Sequence, residues 1–228
     1  MWKDDDELFA LMRARLFPAV VGDILDTLGF MHQFLPPAIK PVERSMVVAG
    51  RAMPVLETHC FARSEPEGKS PLSRQAFGLL FEALDDLAPN EVYVATGSAP
   101  EFALWGGLMT TRALHLKAAG AVLDGYSRDT AEVLELGLPV FSLGGYAQDQ
   151  GPRGKVVDYR VPVEIRGIRV RPGDIVFGDQ DGVLIIPREA EKEAISLALE
   201  KADTESSVRK AIKNGMSTVE AFKTFGVM

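Results

Sequence analysis

Between Gly106 and Ser142 the chain alternates twice between helical and extended patterning, and this constrains the fold more than any other stretch. Gly106-Gly107 opens a helix running to about Ala119. Gly120-Ala121-Val122-Leu123-Asp124 is a short apolar strand. Residues 129–136 form a second helix, Gly137-Leu138-Pro139 a turn, and Val140-Phe141-Ser142 a second strand. Strands joined through helices return to the same end of a sheet and so pair in parallel. The expectation is an α/β fold.

The remaining chain fits around this unit. Residues 7–16 and 18–29 read as helices, the second from Val20, Val21, Ile24, Leu25 and Leu28 at helical spacing with Gly29 closing it. Residues 46–55 read as a strand, and 59–70 as a polar, turn-rich, mobile loop. Ser70 before Pro71 marks a helix start, with Ala76, Leu79, Leu80, Ala83 and Leu84 on one face. Pro89-Asn90-Glu91 turns into a strand over 92–96. Residues 161–165 and 168–170 flank Arg166-Gly167, a hairpin signal. Residues 175–177 and 183–186 are two further strands. From Pro187 a long helix runs to about Asn214, and a short one starts at Ser217. No linker divides the chain. The expectation is one domain over 1–228, with an N-terminal helical extension at 1–17 and a C-terminal helical arm at 188–228. Ile195, Leu197, Leu199, Val208 and Ile212 give the arm an apolar face that suits the body or a neighbouring subunit.

Charge excludes one class of partner. The net charge is −7, whereas a nucleic-acid binder needs a basic face. Cys60 is the only cysteine, so no intrachain disulfide forms, which fits a reducing compartment. The acidic start Asp4-Asp5-Asp6-Glu7 is unlike a secretory signal, and no apolar run reaches membrane-spanning length. The expected location is the cytoplasm.

The chemistry gathers in the same central third. Gly106-Gly107 leaves the backbone amides of Leu108 and Met109 open at a helix start, where a carboxylate or phosphate binds. Glycine pairs also mark ordinary turns. Arg128-Asp129 follows the strand at 120–124, and residues just past a strand's carboxyl end are well placed for function. Arg128 can grip a carboxylate in two-pronged geometry. Asp129 and Glu132, three apart, share a helix face and could bind a hard divalent cation through oxygen. An acid in a first turn also serves the helix dipole, so spacing alone leaves both readings open. His32, His59 and His115 stand in no zinc-ligand spacing, and no phosphate-loop or dinucleotide glycine motif is present.

Taken together, Gly107, twenty intervening residues, Arg128-Asp129, two residues and Glu132 resemble the signature of the RraA-like proteins, which include the 4-hydroxy-4-methyl-2-oxoglutarate aldolases. Val21-Gly22-Asp23-Ile24-Leu25, Val48-Ala49-Gly50-Arg51-Ala52 and the run from Val170 through Gly182-Val183 to Pro187 are similar to other parts of that family. The resemblance implies an α/β sandwich related to swivelling phosphohistidine domains, assembled as trimers or hexamers with active sites between subunits. It implies Mg2+ or Mn2+, and cleavage of a 4-hydroxy-2-keto acid to pyruvate, decarboxylation of oxaloacetate, or both. On this resemblance Asp129 ligates the metal, Glu132 binds it directly or through water, and Arg128 grips the keto acid. The amides of Leu108 and Met109, beside Gly107, hold its carboxylate. Glu205 resembles the acid that the C-terminal arm gives to a neighbour's site. One departure stands out: the well-characterised aldolases place an aspartate where Gly107 stands. A non-catalytic regulatory binding protein, or another enolate reaction at the same centre, are the competing readings.

Overall fold

The computed structural model describes residues 2–61, 69–98 and 100–227. In chain order the helices are α1 (Asp5–Arg15), α2 (Pro18–Thr27), α3 (Leu80–Asp85), α4 (Gly107–His115), α5 (Thr130–Leu136), α6 (Glu191–Lys213) and α7 (Thr218–Phe225). The strands are β1 (Lys40–Pro41), β2 (Val48–His59), β3 (Glu91–Thr96), β4 (Ala103–Trp105), β5 (Gly120–Leu123), β6 (Tyr126–Ser127), β7 (Val140–Ser142), β8 (Gly154–Tyr159), β9 (Val163–Ile165), β10 (Ile168–Val170), β11 (Ile175–Asp179) and β12 (Gly182–Ile186).

Eight strands make one mixed sheet in the order β1-β7-β5-β3-β2-β11-β12, with β8 also pairing β2. The expected parallel pairing is present: β2 with β3, β3 with β5, and β5 with β7. Side chains alternate between the two faces. Tyr93, Ala95, Ala121 and Leu123 join a core with Leu80, Leu84, Ala113 and Val133 of α3, α4 and α5. Val92, Val94 and Val122 face the opposite way, toward Val163, Ile165, Ile168 and Val170 of the β9–β10 hairpin. Both faces are covered, so the central strands read as unbroken apolar runs. The β11–β12 end is packed by α1, α2 and α6. Arg51 ties these helices down through ion pairs to Asp5 and Glu191, both 2.5 Å.

The expected helix over 76–84 is corrected. Ser70 does cap a turn, but it is a short 3-10 helix, Pro71–Arg74. Gly78, at φ +63, then bridges Val156, and α3 begins only at Leu80. Pairing with β8 outcompetes helix propensity there. Most of the expected loop at 59–70, residues 62–68, lies outside the described residues. The helix after Gly106 stops at His115 rather than Ala119, where Lys117 turns to φ 61. The C-terminal arm forms at α6 and α7, with α6 starting at Glu191 rather than Pro187.

Candidate active site

Strand β6 lies beside β4 in a parallel pair, and the Arg128 amide donates to the Trp105 carbonyl at 2.9 Å. This sets Arg128-Asp129 against Trp105-Gly106-Gly107, where β4 ends and α4 begins. Asp129 occupies the cap position of α5 in a left-handed conformation, φ 56 and ψ 37, and its side chain does not cap that helix. Its Oδ2 accepts instead from the Gly107 amide at 3.2 Å. A non-glycine residue held left-handed costs on the order of 1 kcal/mol. The cost turns the carboxylate away from its own helix and toward the start of α4. The capping explanation of Asp129 therefore fails: the acid serves the neighbouring helix terminus.

Glu132, in the first turn of α5, faces the same point. A β-carbon added to Gly107 would overlap the Glu132 carboxylate, whose farther oxygen would lie 2.9 Å away. A β-carbon on Gly106 would lie 2.7 Å from Asp129 Oδ2. The two glycines leave room for two carboxylates, one over each. Gly106 supplies no side-chain cap, so the first-turn amides of Leu108 and Met109 face outward uncapped.

Arg128 completes the group. Its Nη1 donates to Asp149 Oδ1 at 2.8 Å, and its Nε lies 3.6 Å from Asp129 Oδ2. Asp149 is anchored in turn by the Gly151 amide on Oδ2, 3.0 Å. A cavity of about 300 Å3 opens from this charged end. Its walls are Phe77, Leu80, Phe81, Leu104, Trp105, Leu108 and Met109, with Gln150 beside Asp149.

The donor set suits a hard divalent cation in part. Asp129 and Glu132 bring oxygen ligands to one place, as magnesium or manganese prefer, with water and substrate left to complete the shell. Among the described residues no group of three acidic, histidine or cysteine side chains converges as a metal site. Glu205 does not join them within one chain. It lines a separate groove along α6 with Val208, Arg209, Ile212 and Lys213.

The family model for RraA-like proteins (Aldolase/RraA) matches residues 19–185, most of the chain. The chain belongs to the RraA-like family. Protein DlpA of Legionella pneumophila is 29% identical over 203 residues, covering 89% of this chain but 31% of that protein, so the chain spans about a third of that relative's length. A 4-hydroxy-4-methyl-2-oxoglutarate aldolase of Thermus thermophilus is 28% identical over 141 residues, covering 60% of this chain and 85% of the relative. The structure of Streptomyces coelicolor RraAS2, described as an unusual member of the RNase ES inhibitor RraA protein family, superposes with a TM-score of 0.76. It covers 92% of this chain and 99% of that one at 23% identity, which establishes shared fold. The matched segment of this RraA-like chain contains β1 through β11, β12 as far as Ile185, and the whole Gly107–Glu132 group. Helix α1 and the arm lie outside it.

Two site neighbours of this RraA-like chain were not legible in its sequence. Asp149 sits in a loop with no motif, and nothing local marks it as the partner of Arg128. Glu57 lies in β2, where the register against β8 shifts between Leu56 and Glu57. Its Oε2 accepts from Gln150 Nε2 at 2.9 Å, and its Oε1 and the nearby Tyr93 hydroxyl find no partner among the described residues. Complete burial pushes the Glu57 carboxyl up to about 8 and raises Tyr93 well above the ordinary phenol range. Glu57 is therefore a neutral acid at pH 7, tethered to the residue next to Asp149. A lone acid in an apolar strand was the available signal.

Proposed function

We propose that this protein is a divalent-metal-dependent carbon–carbon lyase acting on a 2-keto acid. It cleaves a 4-hydroxy-2-keto acid to pyruvate, decarboxylates oxaloacetate, or does both. The observation that carries this reading is Asp129: its backbone is held left-handed, and its carboxylate is aimed at Gly107 rather than at its own helix. Strain of that kind persists where a side chain must point in one direction. The aldolase relative supports the same reading.

Asp129 and Glu132 would hold Mg2+ or Mn2+, with Glu205 from a neighbouring subunit as a third acid in a trimer or hexamer. When bound, the metal supplies Lewis-acid stabilisation of the enolate charge that forms as the carbon–carbon bond breaks. Arg128 grips the keto acid and offsets negative charge developing on its oxygen. Asp149 fixes the plane of the guanidinium before substrate arrives, which lowers the ordering cost of binding. The Leu108 and Met109 amides take the carboxylate at the positive end of α4. Trp105 and Leu104 form a dry wall, which strengthens each of these charge contacts. No described helix is long and apolar enough to cross a membrane, and we place the reaction in the cytoplasm.

Pyruvate formation from oxaloacetate and from 4-hydroxy-2-oxoglutarate, with magnesium and with a chelator, tests this. Turnover that the chelator abolishes is expected. No turnover of either acid, together with no magnesium binding by calorimetry, would replace the lyase by the regulatory binding protein.

A further inference from the structure

We infer that Glu57 is a positioning residue for Arg128, acting from beneath the cavity through Gln150 and Asp149. This rests on the reading of Arg128 as the group that grips the substrate, and it gives a task to a buried acid which that reading leaves unused.

The contacts form one line. Glu57 Oε2 accepts from Gln150 Nε2 at 2.9 Å. Gln150 follows Asp149 in the chain, and Asp149 Oδ1 accepts from Arg128 Nη1 at 2.8 Å. Glu57 is 1% exposed and Gln150 5% within a single chain, so an adjoining subunit can only bury them further. Gln150 lines the cavity, and Glu57 lies behind it. The backbone carbonyl of Gln150 closes the turn into β8, accepting from the Arg153 and Gly154 amides at 2.7 and 2.9 Å. Its side chain anchors the same segment to β2. The register of β2 against β8 shifts between Leu56 and Glu57, and an irregularity of that kind re-aims a side chain.

A methionine in place of Glu57 would fill the position without burying a polar group. What the acid adds is an acceptor for Gln150. It accepts with its own proton on, because the surroundings offer a charge little. Its Oε1 and the Tyr93 hydroxyl find no partner among the described residues, and burial raises the carboxyl to about 8. The ionisable groups on the elements around it are turned to other contacts. Tyr93 on β3 is itself held neutral by burial. Along β2, His59 sits edge-on to Phe102 with its Nε2 3.6 Å from Glu101. On β8, Lys155 donates to the Gln75 carbonyl, and Arg153 just before that strand donates to the Asp149 carbonyl. An ionised Glu57 requires water, and Gln150 is the side chain that has to part to admit it. Asp149 then loses its setting, and the guanidinium plane of Arg128 with it.

The test uses the full chain with magnesium. KM and kcat for pyruvate formation from oxaloacetate are measured from pH 6 to 9.5 in the parent, Glu57→Gln and Glu57→Met. At pH 6.5 Glu57→Gln, which keeps the acceptor, should show the KM of the parent. Glu57→Met, which removes it, should raise KM about tenfold with a smaller change in kcat. Above pH 8 the KM of the parent should climb toward that of Glu57→Met, while Glu57→Gln keeps the low value. A purely structural role would move the melting temperature and leave these differences out. Should Glu57→Met fail to fold, the comparison of the parent with Glu57→Gln decides.

Arg128 is also followed directly, with or without turnover. In 13C-arginine-labelled protein its side-chain resonance, assigned by its loss in Arg128→Lys, should shift between pH 7 and 9 in the parent and stay fixed in Glu57→Gln. Parallel KM profiles in the parent and Glu57→Gln, or an Arg128 resonance that behaves alike in both, overturn the inference and leave the lyase reading standing. No turnover of keto acids, with a resonance that shifts in the parent alone, overturns the lyase reading and supports the positioning of Arg128. No turnover, with a resonance alike in both proteins, overturns the two together.

Discussion

The Glu132 carboxylate fills the space that a side chain on Gly107 would occupy. An RraA-like chain without an acid at position 107 thus carries a carboxylate at that place after all, delivered from α5. This is what stands where the well-characterised aldolases of the family have aspartate. It also makes the two positions mutually dependent.

That dependence can be measured. Gly107 has an ordinary φ, so alanine is tolerated by the backbone, and the group it displaces is the end of an exposed, flexible side chain. Gly107→Ala is expected to change stability by less than about 1 kcal/mol while pushing Glu132 out. Magnesium affinity should fall as far in Gly107→Ala as in Glu132→Ala, and no further in the double variant. Additive losses in a calorimetric double-mutant cycle would show that Glu132 acts from elsewhere.

Asp129→Asn separates position from charge. Asparagine tolerates the left-handed backbone and still accepts from the Gly107 amide. The melting temperature should stay near that of the parent, while magnesium affinity falls by at least about tenfold, the loss of one charged oxygen ligand being worth 1.4 kcal/mol or more. Unchanged affinity would remove Asp129 from the ligand set.

Arg128→Lys keeps the charge and removes the fork that holds Asp149 and that, on the proposed reading, would also grip the keto acid. A rise in KM of at least about tenfold with magnesium affinity unchanged is the expected outcome. Equal KM in steady-state assays would show that Arg128 contributes charge alone.

Glu57 predicts a pH dependence of stability. Its carboxyl is raised in the fold to about 8 from an ordinary 4.5, so the folded protein binds a proton that the unfolded chain releases. Stability is therefore greatest below 4.5 as far as this group is concerned, declines between 4.5 and 8, and is flat beyond. Glu57→Gln preserves the acceptor for Gln150 and cannot ionise. Urea unfolding should show it level with the parent near pH 4.5 and more stable by several kcal/mol near pH 8. Parallel pH profiles for the two proteins would contradict the buried neutral acid.

The alternation from Gly106 to Ser142 is legible because strand and helix periodicities are local. So are the Arg166-Gly167 turn, at φ 49 and φ 91, and the capping box at Ser217 and Glu220. The 3-10 turn and late α3 were not legible, since Gly78 is bent by a partner strand far along the chain. Strand β8, whose pairing with β2 is likewise long-range, gave no clear local pattern either.

The site divides the same way. The sequence grouped Arg128, Asp129 and Glu132, and marked Gly107 as the departure, through its resemblance to the RraA-like signature, whose spacing is a property of the chain. It could not choose between a helix cap and a ligand for Asp129, since the difference is a backbone angle and a contact 22 residues away. Tertiary structure removed the cap of α5 from that choice: the side chain accepts from the Gly107 amide instead. It also set Asp149 on Arg128, the Glu132 carboxylate over Gly107, and Glu57 on Gln150, 93 residues apart. Each of these is a meeting of side chains from separate elements, and such meetings exist only once the sheet has brought those elements together.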